Sequence, residues 1–126
     1  MKKIINTDKA PAAIGTYSQA VVYDGVLYTS GQIPIDPKTG DMLPADFSRQ
    51  AHQVFKNLQA VAEAAGSGLQ NAIKLNVYLQ DLNDFAGLNE IMSGYLSEPY
   101  PARAAVQVAR LPKDSLIEID AIIAMP

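Results

Sequence analysis

The residues with the most chemical potential lie in one stretch, from Tyr100 to Met125. It begins Tyr-Pro-Ala-Arg103 and ends Leu116-Ile-Glu118-Ile-Asp120-Ala-Ile-Ile-Ala124. Arginine offers a planar fork that holds a carboxylate through two parallel hydrogen bonds. A glutamate can orient and activate a water molecule. Glu118 sits in an otherwise apolar run, where a carboxylate is costly to bury unless it is paired, hydrogen-bonded or facing a cleft. An arginine and a glutamate in one cleft suit hydrolytic attack on a small carboxylate-bearing substrate. The residues alone leave a plainer reading open, in which Arg103 caps a strand end and Glu118 is a solvated or paired edge charge.

The two strand-like runs flank the turn Leu111-Pro-Lys-Asp114, which predicts a terminal hairpin. With Arg110 and Ser115 flanking that turn, Gln107 would face Glu118 and Ala105 would face Asp120. Arg103, Ala105 and Gln107 would then share a face with Glu118, Asp120 and Ile122. Ala104, Val106, Val108, Ile117, Ile119 and Ile123 would take the other. Arg103 would stand roughly 13 Å along the strands from the level of Glu118. The two need not pair with each other, but could flank a small anion.

Other reactive groups are few. The chain has no cysteine, which rules out disulfides, thiolate catalysis and cysteine-ligated zinc. His52 is the only histidine. It lies beside the apolar stripe of a helix and reads as a boundary residue. No serine-nucleophile elbow of the Gly-x-Ser-x-Gly kind occurs. Gly66-Ser-Gly68 reads as a helix-stop loop rather than a phosphate cradle.

The elements that must position these groups follow from periodicity. The chain has 126 residues, 48% hydrophobic and 18% charged, which suits a single domain over residues 1–126. The net charge of −3 and pI near 4.9 disfavour a nucleic-acid backbone binder. No stretch has signal-peptide or membrane-span length, so a soluble, cytoplasmic protein is expected. Lys2 to Asn6 suggests a short strand. Ala20–Tyr23 and Val26–Tyr28, joined by Asp24-Gly25, form the strongest hairpin signal in the chain. Gly31, just past the second strand, marks a bulge or a place of close approach. A proline- and glycine-rich loop spans Ile33 to Pro44. Apolar residues from Ala51 to Ala65 predict a helix capped by Asp46 and stopped by Gly66. Ala72 to Leu79 alternates as a strand, with Ile73, Leu75, Val77 and Leu79 inward. Phe85, Leu88, Ile91, Met92 and Tyr95 form the stripe of a second helix, ended by Ser97 to Pro101. The order β-(ββ)-α-β-α-ββ predicts an α+β domain, a mixed sheet with both helices on one face. The other face then needs a cover, and oligomerisation through the sheet supplies one.

Five motifs in order carry a resemblance over nearly the whole length. They are Ala10-Pro-Ala-Ala-Ile-Gly15-x-Tyr17-Ser-Gln19, Thr29-Ser-Gly31-Gln-Ile-Pro34, Asp81-Leu-Asn-Asp-Phe85 with Asn89, Pro101-Ala-Arg103, and Ala109-Arg-Leu-Pro-Lys-Asp114 leading to Ile117-Glu118-Ile119. With them the chain resembles the Rid family, the reactive intermediate deaminases, in its RidA/YjgF-like branch. The resemblance implies a chorismate-mutase-like fold and a homotrimer with ligand clefts between neighbours. It implies hydrolysis of 2-enamine and 2-imine acids, such as 2-aminoacrylate and 2-iminobutyrate, to 2-keto acids and ammonia, without a metal or organic cofactor. By position, Arg103 would hold the substrate carboxylate and Glu118 would activate the water. Tyr17, counted with these two as catalytic, would line the pocket with Gly31 and Asn89, and Ala105 would serve through its backbone. Two positions depart from many relatives: Thr16 replaces a proline and Ala105 a cysteine. Relatives described as regulators, ribonucleases or translation inhibitors supply the alternatives: a small-carboxylate sensor or an RNA-directed activity.

Overall fold

Two eight-residue segments of alternating burial, Ala72–Leu79 and Ile117–Ala124, form the centre of the fold. The computed structural model describes residues 1–126. Its strands are β1 (Lys3–Ile5), β2 (Ala20–Tyr23), β3 (Val26–Thr29), β4 (Ala72–Leu79), β5 (Ala102–Gln107) and β6 (Ile117–Ala124). Helix α1 (Phe47–Ala64) follows β3, and α2 (Phe85–Ser93) lies between β4 and β5. The strands make one mixed sheet in the order β1-β2-β3-β6-β4-β5. This is the α+β arrangement that the element order implies.

Local chemistry explains most elements. Asp24 and Gly25 both take positive φ, 52° and 78°, as a two-residue hairpin turn of this hand requires. Asp46 caps α1, its Oδ1 accepting from Arg49 N at 3.2 Å, and Gly66 leaves it at φ 89°. Helix α2 stops at Ser93, before the expected Ser97. Tyr95 therefore lies beyond the helix, yet its ring stacks on Phe55 at 4.9 Å. His52 Nδ1 lies 2.8 Å from the Tyr95 hydroxyl, a packing role at the helix boundary.

The core lies between the helices and one sheet face. Ile117, Ile119, Ala121 and Ile123 of β6 and Leu75, Val77 and Leu79 of β4 are buried there, together with Phe55, Leu58 and Leu88 from the helices. Full burial of each large aliphatic side chain contributes about 1.5–3 kcal/mol. The opposite face carries Tyr28, Lys74, Asn76, Tyr78, Val106, Glu118, Asp120 and Ile122, none of them fully buried.

Three expectations are corrected. The terminal hairpin does not form, because β4 lies between β5 and β6. Strand β5 is an edge strand parallel to β4, reached through α2 as parallel neighbours require. Residues 108–116 then cross the end of β4, where Val108 N bonds Leu79 O at 2.9 Å and Gln80 N bonds Leu116 O at 3.0 Å. Second, the faces change. Arg103, Ala105 and Gln107 pair with Leu75, Val77 and Leu79, so they lie on the helix face, while Ala104 and Val106 share the outer face with Glu118 and Asp120. Third, Ile73 is not inward. A register shift between Ala72 and Lys74 turns it outward, 46% exposed.

Candidate active site

Glu118 projects from the outer face of β6 beside a gap in the sheet. Strand β3 pairs with β6 as far as Tyr28 opposite Ile122, and pairing resumes at Gln32 opposite Ile119. One extra residue on the β3 side makes a bulge, as Gly31 predicts. The groups freed by the bulge find other partners. Thr29 Oγ1 accepts from Ala121 N at 2.9 Å, and Ser30 N donates to Gln19 O at 2.9 Å. The Glu118 side chain lies directly against Gly31: a Cβ there would stand 2.9 Å from Glu118 Cδ and closer still to Oε2. Only glycine leaves that space free. Gly31→Ala is expected to displace the Glu118 carboxylate and lower turnover at least tenfold, with a melting temperature near that of the wild type; unchanged turnover in steady-state assays would remove Gly31 from the site.

A cavity of about 620 Å³ opens at this point, lined by Tyr17, Gly31, Ile33, Lys113 and Glu118 among others. Tyr17 stands on a loop that a buried glutamine holds down. Gln19 Oε1 accepts from Thr7 N at 2.7 Å, and its Nε2 donates to Thr7 O at 2.9 Å and Pro11 O at 2.8 Å. Two more buried amides anchor the loops around the cavity. Gln50 accepts from Leu116 N at 2.8 Å, and Asn57 donates to Ile35 O at 3.0 Å. Gln19 closes a motif visible in the sequence, whereas Gln50 and Asn57 belong to none. Gln50 and Asn57 carry a signal, being amides seven residues apart within the buried side of α1.

Burial raises the Glu118 pKa above the ordinary carboxyl value, and the charge of Asp120 on the same face raises it further. Asp120 is itself held, accepting from Asn76 Nδ2 at 2.8 Å and from the Tyr78 hydroxyl at 3.0 Å. Burial raises the Tyr78 pKa as well, and its hydrogen bond to Asp120 adds to that. The shift makes the Glu118 carboxyl a weaker acid, and its ionised form a stronger base, than a fully solvated glutamate.

The second group of site residues lies elsewhere. Arg103 lies over α2, where its Nη1 donates to Asn89 Oδ1 at 2.6 Å. A cavity of about 450 Å³ opens beside them, lined also by Met92, Leu96 and Tyr100. Ala105, two residues on, is half-buried and lines neither cavity. Arg103 is level with Ala121, through Leu75. It is therefore about 10 Å across the sheet and about 10 Å along it from Glu118, and on the opposite face. One chain brings together Tyr17, Gly31 and Glu118, and separately Asn89 and Arg103.

The family model described as endoribonuclease L-PSP matches residues 7–125. The chain belongs to this family, the RidA/YjgF or Rid family. Among curated Rid relatives is the 2-iminobutanoate/2-iminopropanoate deaminase of Rattus norvegicus, 51% identical over 97% of this chain and 89% of the rat protein. RidA from a Psychrobacter species superimposes with a TM-score of 0.94 at 54% identity, covering 98% of this chain and 99% of that one. TdcF of E. coli, solved with bound serine, has a TM-score of 0.92 at 45% identity, with 98% and 99% covered. The fold and the order of its elements are thus those of solved Rid proteins.

Proposed function

We propose that this protein hydrolyses 2-imino acids, and the enamines that tautomerise to them, to 2-keto acids and ammonia. The observation that carries the reading is the division of its polar groups. A guanidinium with open donors lies on one side of the chain, and a carboxylate of raised pKa lies in a glycine-walled notch on the other. Neither half suffices alone. A homotrimer in which each cleft joins the Glu118 half of one chain to the Arg103 half of the next supplies both. The exposed apolar residues of the outer face, Ile4, Tyr28 and Val106, support packing of sheet against sheet. The deaminase names among relatives at about 50% identity support the activity. The serine bound to E. coli TdcF supports an α-carboxylate ligand.

The chemistry balances without an oxidant. Arg103 holds the carboxylate, and Glu118 takes a proton from the water that attacks C2. Glu118 passes that proton to the imine nitrogen, giving the neutral carbinolamine; it then takes the hydroxyl proton and delivers it to the amine nitrogen, the C–N bond breaks, and ammonia leaves as the ketone forms. Tyr17 and Asn89 line the cleft, and the backbone of Gly31 and of Ala105 contributes without a side chain. The test couples a dehydratase to generate 2-iminopropanoate or 2-iminobutanoate and traps residual imine as its semicarbazone. Loss of imine above the spontaneous rate is expected, with light scattering giving a trimer mass. No acceleration across several imines, with saturable keto-acid binding, would favour a carboxylate sensor instead. RNA cleavage is not expected at a pI near 4.9.

In this mechanism the ionised Glu118 is the active form, so kcat/KM rises with pH through its elevated pKa. Asp120→Asn removes a neighbouring negative charge. It is expected to shift that acidic limb to lower pH, leaving the high-pH plateau within a few-fold. An unmoved limb in the pH profile would separate Glu118 from the titration. Tyr78, Tyr17 and Lys113 also surround this carboxylate and remain in place in the variant.

A further inference from the structure

The Arg103 guanidinium is not free on its edge strand. Helix α2 presents Phe85, Asn89 and Met92 to it, at positions i, i+4 and i+7 of one helix face. Arg103 Cζ lies 5.0 Å from the centroid of the Phe85 ring. Nη1 donates to Asn89 Oδ1 at 2.6 Å and approaches Met92 Sδ at 3.6 Å. One nitrogen is thereby committed to the helix. Nε and Nη2 make no hydrogen bond within the chain, and they are the two nitrogens that form a side-on fork to a carboxylate. A long side chain ordered only on binding would lose rotamer freedom at that moment, which weakens affinity. An aromatic face attracts a guanidinium stacked over it, and Phe85 is half-buried, so its ring is fixed by packing.

We infer that Phe85 is a positioning residue for Arg103: its ring, with Asn89 and Met92, holds the guanidinium so that the Nε–Nη2 edge faces the substrate carboxylate before substrate arrives. The inference rests on the reading of Arg103 as the carboxylate-holding group. Phe85 touches no reacting atom in this scheme; it acts through the arginine.

The test compares Phe85→Leu, which keeps apolar volume but has no π face, with Phe85→Tyr, which keeps the face. Both are made in the full chain, and the probe is 2-oxobutanoate, titrated by calorimetry. Phe85→Leu is expected to weaken binding about 3–10-fold, while Phe85→Tyr stays within about twofold. In the imine assay the leucine variant raises KM with kcat nearly unchanged, because the lost order affects substrate and transition state alike. Equal binding by wild type and leucine variant, or equal weakening in both variants, overturns the inference. Should the leucine variant fail to fold, the wild type decides by NMR. A restrained Arg103 Nε–H with nuclear Overhauser contacts to the Phe85 ring is expected; a freely rotating guanidinium overturns the proposal. Absence of both imine hydrolysis and 2-oxobutanoate binding in the wild type removes the functional reading, while the NMR measurement still decides whether the ring holds the guanidinium.

Discussion

Arg103→Ala is expected to lower the proposed imine hydrolysis by about 10²–10⁴-fold, with the fold and the proposed trimer intact. Each hydrogen bond to a charged group contributes about 1.5–3 kcal/mol, and the free edge of this guanidinium offers two. Every ~1.4 kcal/mol is a factor of ten, so losing both gives that range. The exposure of Arg103 places the effect toward the lower end. That exposure also keeps the cost to stability small. Arg103→Lys retains the charge but not the planar fork, and its shorter reach gives up the stacked position over Phe85. It is expected to recover only a minor part of the activity. Semicarbazone trapping with 2-iminobutanoate measures all three proteins, and wild-type rates in Arg103→Ala would end the carboxylate-holding role.

Glu118→Gln is expected to cost about 10²–10⁴-fold, the range of a positioned acid–base group. The isosteric amide preserves contact with Gly31 but cannot carry the proton. Stability should not fall with it. A carboxyl whose folded pKa is raised destabilises the fold once ionised. That penalty grows as pH rises past its unfolded pKa and is complete above the folded one. The glutamine variant escapes it at neutral pH, and the difference vanishes in acid. Mixing supplies a sharper outcome. If Glu118 and Arg103 of neighbouring chains share each cleft, co-expressed Arg103→Ala and Glu118→Gln chains regain activity. In randomly assembled cyclic trimers about a quarter of the clefts receive both intact residues. Two inactive proteins would then yield roughly a quarter of the wild-type rate. Mixed particles that remain inactive would show that the two halves do not meet in this way.

Local signals carried much of this protein. The Asp24-Gly25 turn, the Asp46 cap, the Gly66 stop and the alternation of Ile117–Ala124 each act over a few residues, and each forms as its sequence implies. Gly31 announced a close approach, and Glu118 is what approaches it. The motifs running from Gly15 to Glu118 pointed to the Rid family, which the match over residues 7–125 bears out. Pairing of distant strands was not written in any local pattern. A short turn between β5 and β6 suggested a hairpin, yet β4 takes the place between them, its buried Leu75, Val77 and Leu79 giving β6 a more apolar neighbour than the largely exposed β5. Side-chain alternation has a period of two, so the change of partner moved Arg103 to the face opposite Glu118. The sequence by itself determined most of the elements and the family, and it named Arg103 and Glu118 as the candidate reactive groups. Only the tertiary structure decided that those groups stand in two separate clefts, because face and neighbour depend on strand order, which long-range burial sets.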